Sequence, residues 1–252
     1  LDALAAKFRH CTRVILCGMG GSSLAPEVIA ASFNKELFVL DSTDPDYISH
    51  ALDGDLAKTV VVVSSKSGST IETASQRALF EFEFKSKGID PREHMVIVTD
   101  PNSPLDIDAR EKSFTVINAD PYVGGRFSAL SAFGLVPAAL VGIDVSVLLD
   151  AASDSLEHLQ GENSPAVAVA YLLAYHCDQY FALSDANSGT PGISEWIEQL
   201  LAETTGKEEG GRLPIGIESN AAPIASNNLR IACTGRRNRG SEDREGGRGS
   251  GG

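Results

Sequence analysis

A chain of 252 residues with 42% hydrophobic content is long enough to enclose one sizeable core with appendages. Its formal net charge of −13 argues against a nucleic-acid surface, because phosphate backbones are gripped mainly by Lys and Arg; a small anion held in a local cradle stays open. No signal peptide opens the chain and no apolar run reaches the ~18 residues that span a bilayer, so the expectation is a soluble, cytoplasmic protein with no membrane partner.

In chain order, "RVILC" reads as a first buried strand, followed by the turn "GMGGSS" and the helical pattern "SLAPEVIAASF". The runs "LFVLD", "TVVVVSS", "HMVIVTD" and "FTVIN" read as four further strands, each aliphatic almost throughout and each ending at a polar or Gly-rich turn. Between them "TIETASQRALFEFEFKSKG" has helical periodicity and closes on Gly88 as a helix stop. Strand and helix alternating in this way predict a five-stranded parallel sheet covered by helices on both faces, a three-layer α/β/α sandwich of flavodoxin-like type. From about residue 126 the pattern becomes helical, through "FSALSAFGLVPAALVGI", "VSVLLDAASDSLEHL", "SPAVAVAYLLAYHCDQYFAL" and "EWIEQLLAE".

These readings divide the chain into an α/β domain over 1–145, a helical segment over 146–207 and a Gly/Arg-rich tail over 208–252. The tail is expected to be disordered, having too little apolar surface to offset the entropy of ordering it. Residues 1–207 hold 14 basic and 28 acidic side chains, whereas 208–252 hold 7 and 6, and all seven of those basic residues are Arg. Such a run reads as a solvated extension rather than an RNA-binding arm. The four cysteines, Cys11, Cys17, Cys177 and Cys233, show no CxxC pair and no His at zinc-ligand spacing. They read as reduced thiols with no metal site.

In a sheet of this type ligands bind beyond the carboxyl ends of the strands. "GMGGSS" brings three glycines to one such end, where backbone can approach a ligand closely and the first N–H groups of a helix favour an anion. The same loop resembles a dinucleotide fingerprint with Asp41 as the ribose-binding acid, although Ser23 stands where the third glycine belongs. A plain tight turn would also favour these glycines. The second loop, "SSKSGST", gathers Ser65, Ser67, Ser69 and Thr70 about one helix start. A phosphate monoester offers three oxygens to such a nest, whereas capping a helix needs one hydroxyl.

"SSKSGSTIET" resembles the phosphate-binding loop of sugar isomerase (SIS) domains. "DPYVGGRFSALSAFGL" is similar to the Gly-Gly-Arg-Phe-Ser signature of the glucose-6-phosphate isomerase family, "GMGGSSLAPEV" to its Gly-x-Gly-Gly-Ser segment, and "QLLAETTGK" to its Gln-x-x-x-Glu-[Ser/Thr]-x-Gly-Lys segment. The four motifs occur in the family's order between residue 13 and about 215. The resemblance implies that Ser22 contacts sugar and that Ser65, Lys66, Ser67, Thr70 and Thr73 grip the phosphate. It further implies that Gly125 lines the site, that Arg126 stands beside the reacting carbons, and that Glu203 moves the proton between C1 and C2 with Gln199 a turn before it. The implied reaction interconverts glucose 6-phosphate and fructose 6-phosphate through a cis-enediol, without metal or cofactor, in a family that forms homodimers.

Residue chemistry fits that reading. One carboxylate can lift and return a proton, and a permanently charged guanidinium can stabilise the developing enediolate. Against it stand ordinary alternatives: Arg126 in a surface ion pair, Lys66 and Lys207 simply exposed, and Glu203 as a solvated helix-end carboxylate. Departures from the family are also visible. Its ring-opening histidine and a further catalytic lysine follow the glutamate, whereas here the last His is His176 and the last Lys is Lys207. Beyond "GRLPIG" no second βαβ run is read. These departures suggest a truncated or frame-shifted first SIS domain, with isomerisation impaired, or an internal slice of a transaldolase fusion. A non-catalytic sugar-phosphate-binding module and a nucleotide-binding Rossmann protein remain as rivals.

Overall fold

The computed structural model describes residues 1–161, 163–175, 180–186, 188–207, 211–219, 223–224 and 228–233. His176, Cys177 and the end of the tail from residue 234 lie outside the described residues.

The five expected strands form: β1 (Arg13–Gly18), β2 (Phe38–Leu40), β3 (Thr59–Ser64), β4 (Met95–Thr99) and β5 (Thr115–Asn118). They pair in the order β2-β1-β3-β4-β5, every pair parallel, which is the flavodoxin-like order. Strand side chains alternate between faces, so each strand sorts its apolar residues into two cores. Ile15, Cys17, Val61, Val63, Met95 and Ile97 pack with Phe80 and Phe84 from α4 (Ile71–Ser86) and with Leu105 and Ala109 from α5 (Pro104–Glu111). On the opposite face Val14, Leu16, Val60, Val62, Val96 and Val98 pack with Leu4 of α1 (Asp2–Lys7) and with Phe133 and Val136 of α6 (Ala132–Leu140). Two dry faces explain why the strands are aliphatic runs and not alternating ones.

Helix starts follow local chemistry. Asp44 accepts from the backbone N–H groups of Asp46 and Tyr47 at the head of α3 (Pro45–Leu52), and Ser103 caps α5 ahead of Pro104. Two short 3₁₀ turns, Gly20–Ser22 and Gly125–Leu130, replace regular helix where the Gly-rich loops meet.

Beyond α6 the structure corrects the sequence reading. The segment after residue 146 is not all helix: α7 (Val145–Gln160) and α8 (Pro165–Tyr175) are followed by strand β6 (Tyr180–Ser184), then α9 (Ile193–Thr205) and β7 (Leu213–Gly216). A further strand, β8 (Leu229–Ala232), falls inside the stretch read as a structureless tail. The three strands form a second parallel sheet in the order β7-β6-β8, so β6-α9-β7 is a βαβ unit where none was expected. "YFALS" fits a buried strand and a helix end equally well by periodicity, since short apolar runs do not discriminate. Its burial decides: Phe181, Ala182 and Leu183 are enclosed, with Leu201 of α9 and Leu229 of β8 packed against the cluster. No helix among the described residues is long and apolar enough to cross a membrane.

Candidate active site

The carboxyl ends of β1 and β3 open into a cleft of about 450 Å³ lined by thirteen residues, within the range of small-molecule sites. The strand order reverses between these two strands, which is where an open α/β sheet leaves a crevice. Nine of the ten residues expected at a site line this cleft: Ser22, Ser65, Lys66, Ser67, Thr70, Gly125, Arg126, Gln199 and Glu203. Thr73 does not. It lies in the first turn of α4, fully buried, with its hydroxyl unpartnered beneath the helix start.

At one end of the cleft the β3-to-α4 loop turns its hydroxyls on each other. Ser65 Oγ lies 3.2 Å from Thr70 Oγ1 and accepts from Gly68 N, while Ser67 Oγ accepts from Ser69 N at 3.2 Å and from Ser69 Oγ at 3.0 Å. No side chain caps α4 at Thr70, so its first backbone N–H groups remain available to an anion. Lys66 also lines the cleft, but its ammonium meets Asp100 Oδ2 at 2.6 Å. Asp100 lines the cleft from the end of β4, a residue the sequence reading passed over.

At the other end, α9 carries Gln199 and Glu203 into the cleft. Gln199, one turn before Glu203, donates from Nε2 to Glu203 Oε1 at 2.9 Å. Arg126 places Nη1 3.8 Å from Glu203 Oε2 and donates from Nε to Thr204 Oγ1 at 2.9 Å. Thr204, like Asp100, escaped the sequence reading; its signal is only that it follows the glutamate on the helix. Glu203 is 48% exposed as a side chain, so it stands open at the rim. Among the described residues Ser64 Oγ, Asp100 Oδ1 and Gln199 Oε1 are buried without a protein partner, and all three residues line the cleft. Buried polar atoms in that state cost roughly 1–3 kcal/mol each, which a polar ligand would offset. Lys207 is exposed and outside the lining.

The loop after β1 and the turn that carries Arg126 meet by backbone contact. A Cβ built on Gly21 would fall 2.7 Å from Gly125 C, 2.8 Å from its carbonyl oxygen and 2.9 Å from Arg126 N. Only glycine allows so close an approach. Gly20, the second glycine of the dinucleotide pattern, has Gln199 Nε2 2.8 Å from where a Cβ would stand, so a protein side chain occupies the approach that such a loop leaves for pyrophosphate. Asp41, the ribose acid of that rival reading, is not among the lining residues.

Among the described residues the carboxyl-end cleft holds no cluster of metal-ligand type. His10, Cys11 and His94 form one such group, located before β1 and β4 at the opposite end of the sheet. The His94 Nδ1 atom nearest Cys11 Sγ also lies 2.9 Å from the Thr59 carbonyl, which can only accept, so that nitrogen carries the proton and offers no lone pair. Burial pushes the Cys11 thiol up to about 11, so it stays protonated at neutral pH. The His10 and His94 rings meet edge to face there, with centroids 5.2 Å apart.

Comparison with known proteins agrees with the geometry. A family model of phosphoglucose isomerase matches residues 4–200. A probable glucose-6-phosphate isomerase of Haloarcula marismortui is 34% identical over 212 residues, covering 80% of this chain and 48% of the relative. Among solved structures, a hypothetical protein from Thermus thermophilus superposes with a TM-score of 0.80 at 32% identity, over 87% of this chain and 56% of that one. A glucose-6-phosphate isomerase from Chlamydia trachomatis does so at 0.72 and 25% identity, over 92% of this chain and 47% of that one. The chain spans about half the length of the curated relatives it matches. With the family match running from α1 into α9 and the same cleft assembled between them, the chain belongs to the phosphoglucose isomerase family.

Proposed function

We propose that the cleft binds a hexose 6-phosphate and serves the interconversion of glucose 6-phosphate and fructose 6-phosphate by proton transfer through a cis-enediol. The observation that carries this reading is one cleft with a hydroxyl nest at a helix start on one side and a paired guanidinium and carboxylate on the other. Ser65, Ser67 and Thr70 with the α4 N–H groups suit the phosphate oxygens, and Ser22 suits the sugar.

Glu203 lifts the proton from C2 and returns it to C1, leaving the carboxylate as it began. Gln199 orients that carboxylate through its 2.9 Å hydrogen bond. Arg126 meets the negative charge that grows on the enediol oxygen. Phosphate binding at a distance supplies the free energy that holds C1 and C2 at the base. No imidazole lines the cleft among the described residues, so opening of the sugar ring is expected to limit the 252-residue chain. Apolar side chains exposed on α7 and α8, among them Val147, Leu156, Val167 and Tyr171, support a family-type homodimer as part of this reading.

The test is a coupled assay of fructose 6-phosphate conversion together with thermal shift. Glu203→Gln should lower turnover by about 10²–10⁴-fold while hexose 6-phosphates still raise the melting temperature. Full turnover in Glu203→Gln, or protection by NAD and none by fructose 6-phosphate, would overturn the reading.

A further inference from the structure

An ammonium group has three N–H donors, and all three of those on Lys66 have acceptors within the protein. Asp100 Oδ2 lies at 2.6 Å, the Pro121 carbonyl at 3.2 Å and the Asp120 carbonyl at 3.4 Å. The backbone repeats the tie, since Asp100 N donates to the Lys66 carbonyl at 3.4 Å. Lys66 belongs to the loop that carries the hydroxyl nest, Asp100 to the end of β4, and Asp120 and Pro121 to the turn that leads from β5 into Gly125 and Arg126. That turn has little burial of its own: Asp120, Pro121 and Tyr122 are exposed, Tyr122 to 95%. Its internal bonds run from Tyr122 N to Asp120 Oδ1 and from Val123 N to the Asp120 carbonyl, so they shape the turn without anchoring it.

We propose that Lys66 is a positioning residue that clamps the Asp120–Arg126 turn to the phosphate end of the cleft, and that its side chain does not ligate phosphate. Asp100 neutralises the ammonium and aims it at the two carbonyls. The nest then grips phosphate with hydroxyl and backbone N–H groups alone, while the same lysine sets how far Arg126 stands from them. This assignment rests on the hexose 6-phosphate reading of the site, and it replaces the phosphate-gripping role that the family resemblance implies for this position.

The experiment compares the full chain with Lys66→Met and Asp100→Asn, the second serving if the first folds poorly. Amide exchange over 120–127 should quicken by about tenfold or more in each, and no further in the double variant, since one charge-assisted contact is lost in all three. Inorganic phosphate should bind Lys66→Met within about threefold of the parent, whereas fructose 6-phosphate, which also reaches Arg126, should weaken by about tenfold. On an Arg126→Ala background Lys66→Met should change fructose 6-phosphate affinity by less than about twofold, because the group it positions is gone.

Unchanged exchange over 120–127, or a loss of about thirtyfold in inorganic phosphate affinity in Lys66→Met, would overturn the clamp. A parent chain that binds neither phosphate nor fructose 6-phosphate would sink the functional reading instead, and the exchange comparison would still decide the clamp.

Discussion

Every residue of β3 and β4 is buried, whereas β7 and β8 together bury only Pro214. The helices follow suit. Helix α4 buries Phe80 and Phe84 completely, while α7 and α8 bury none of their side chains and α9 buries only Ser194. The nest that suits phosphate thus grows out of a sheet covered on both faces, and the proposed base rides on a helix with one thin apolar cluster beneath it. Stability and the proposed proton transfer are lodged in different parts of the fold, so changes that damage one should largely spare the other.

The largest expected effect tests that separation. Glu203→Gln should cost about 10²–10⁴-fold in turnover and leave the melting temperature within a degree or so, because the carboxylate is half exposed and makes only surface-type contacts. A large fall in melting temperature would show that α9 depends on that side chain.

Next comes the reverse case. Phe80→Ala should destabilise the chain by about 3–5 kcal/mol, read by urea unfolding, since Phe80 is wholly enclosed between α4 and the sheet. Leu201→Ala, at a partly buried position against Phe181, should cost clearly less while reducing turnover through α9. If the two penalties were equal, the contrast between the sheets would fail. Inorganic phosphate at about 100 times its dissociation constant should add about 2.7 kcal/mol. The added exchange protection should concentrate in β3 and the start of α4 rather than in α9.

The smallest effect lies at the edge of the larger sheet. The Asn118 amide, with the Asn102 backbone N–H and Arg110, holds the Asp106 carboxyl below its usual range. A carboxyl depressed on folding contributes stability that is present above its unfolded value near 4 and lost as pH falls through the lower folded value. Asp106→Asn should therefore flatten the acid limb of the stability curve below about pH 4, by less than about 1 kcal/mol. The loss should appear at neutral pH, where the charged carboxylate contributes, and vanish in strong acid.

The five-stranded sheet was legible because each strand is a contiguous aliphatic run that ends in a polar or glycine turn, and two dry faces demand that pattern. The second sheet was hidden for local reasons. "YFALS" runs on from a helical stretch without a glycine or proline between them, "LPIG" contains a proline, and "LRIA" sits among Asn, Ser and Gly. Strands so short carry little periodic signal, and their identity is set by what packs on them. Residues of the cleft with distinctive neighbours, such as Arg126 after two glycines or Ser67 in a hydroxyl loop, could be named in advance. Asp100 and Thr204 could not, since an acid after a strand and a threonine in a helix's last turn are ordinary until the fold brings Lys66 and Arg126 to them.

The sparse burial around α9 also has a kinetic consequence. In β6-α9-β7 the parallel pairing joins Tyr180 to Leu213, a closure no longer than that from Val61 to Met95 in the larger sheet, so buried apolar surface and not loop length decides which forms first. The nest at Ser65–Thr70 needs only the neighbouring strands β1, β3 and β4. During refolding the anion-holding end should be complete first, and the carboxylate should arrive last. In pulse-labelled exchange, protection of β3 should precede that of β6, with the site able to capture phosphate before it can move a proton.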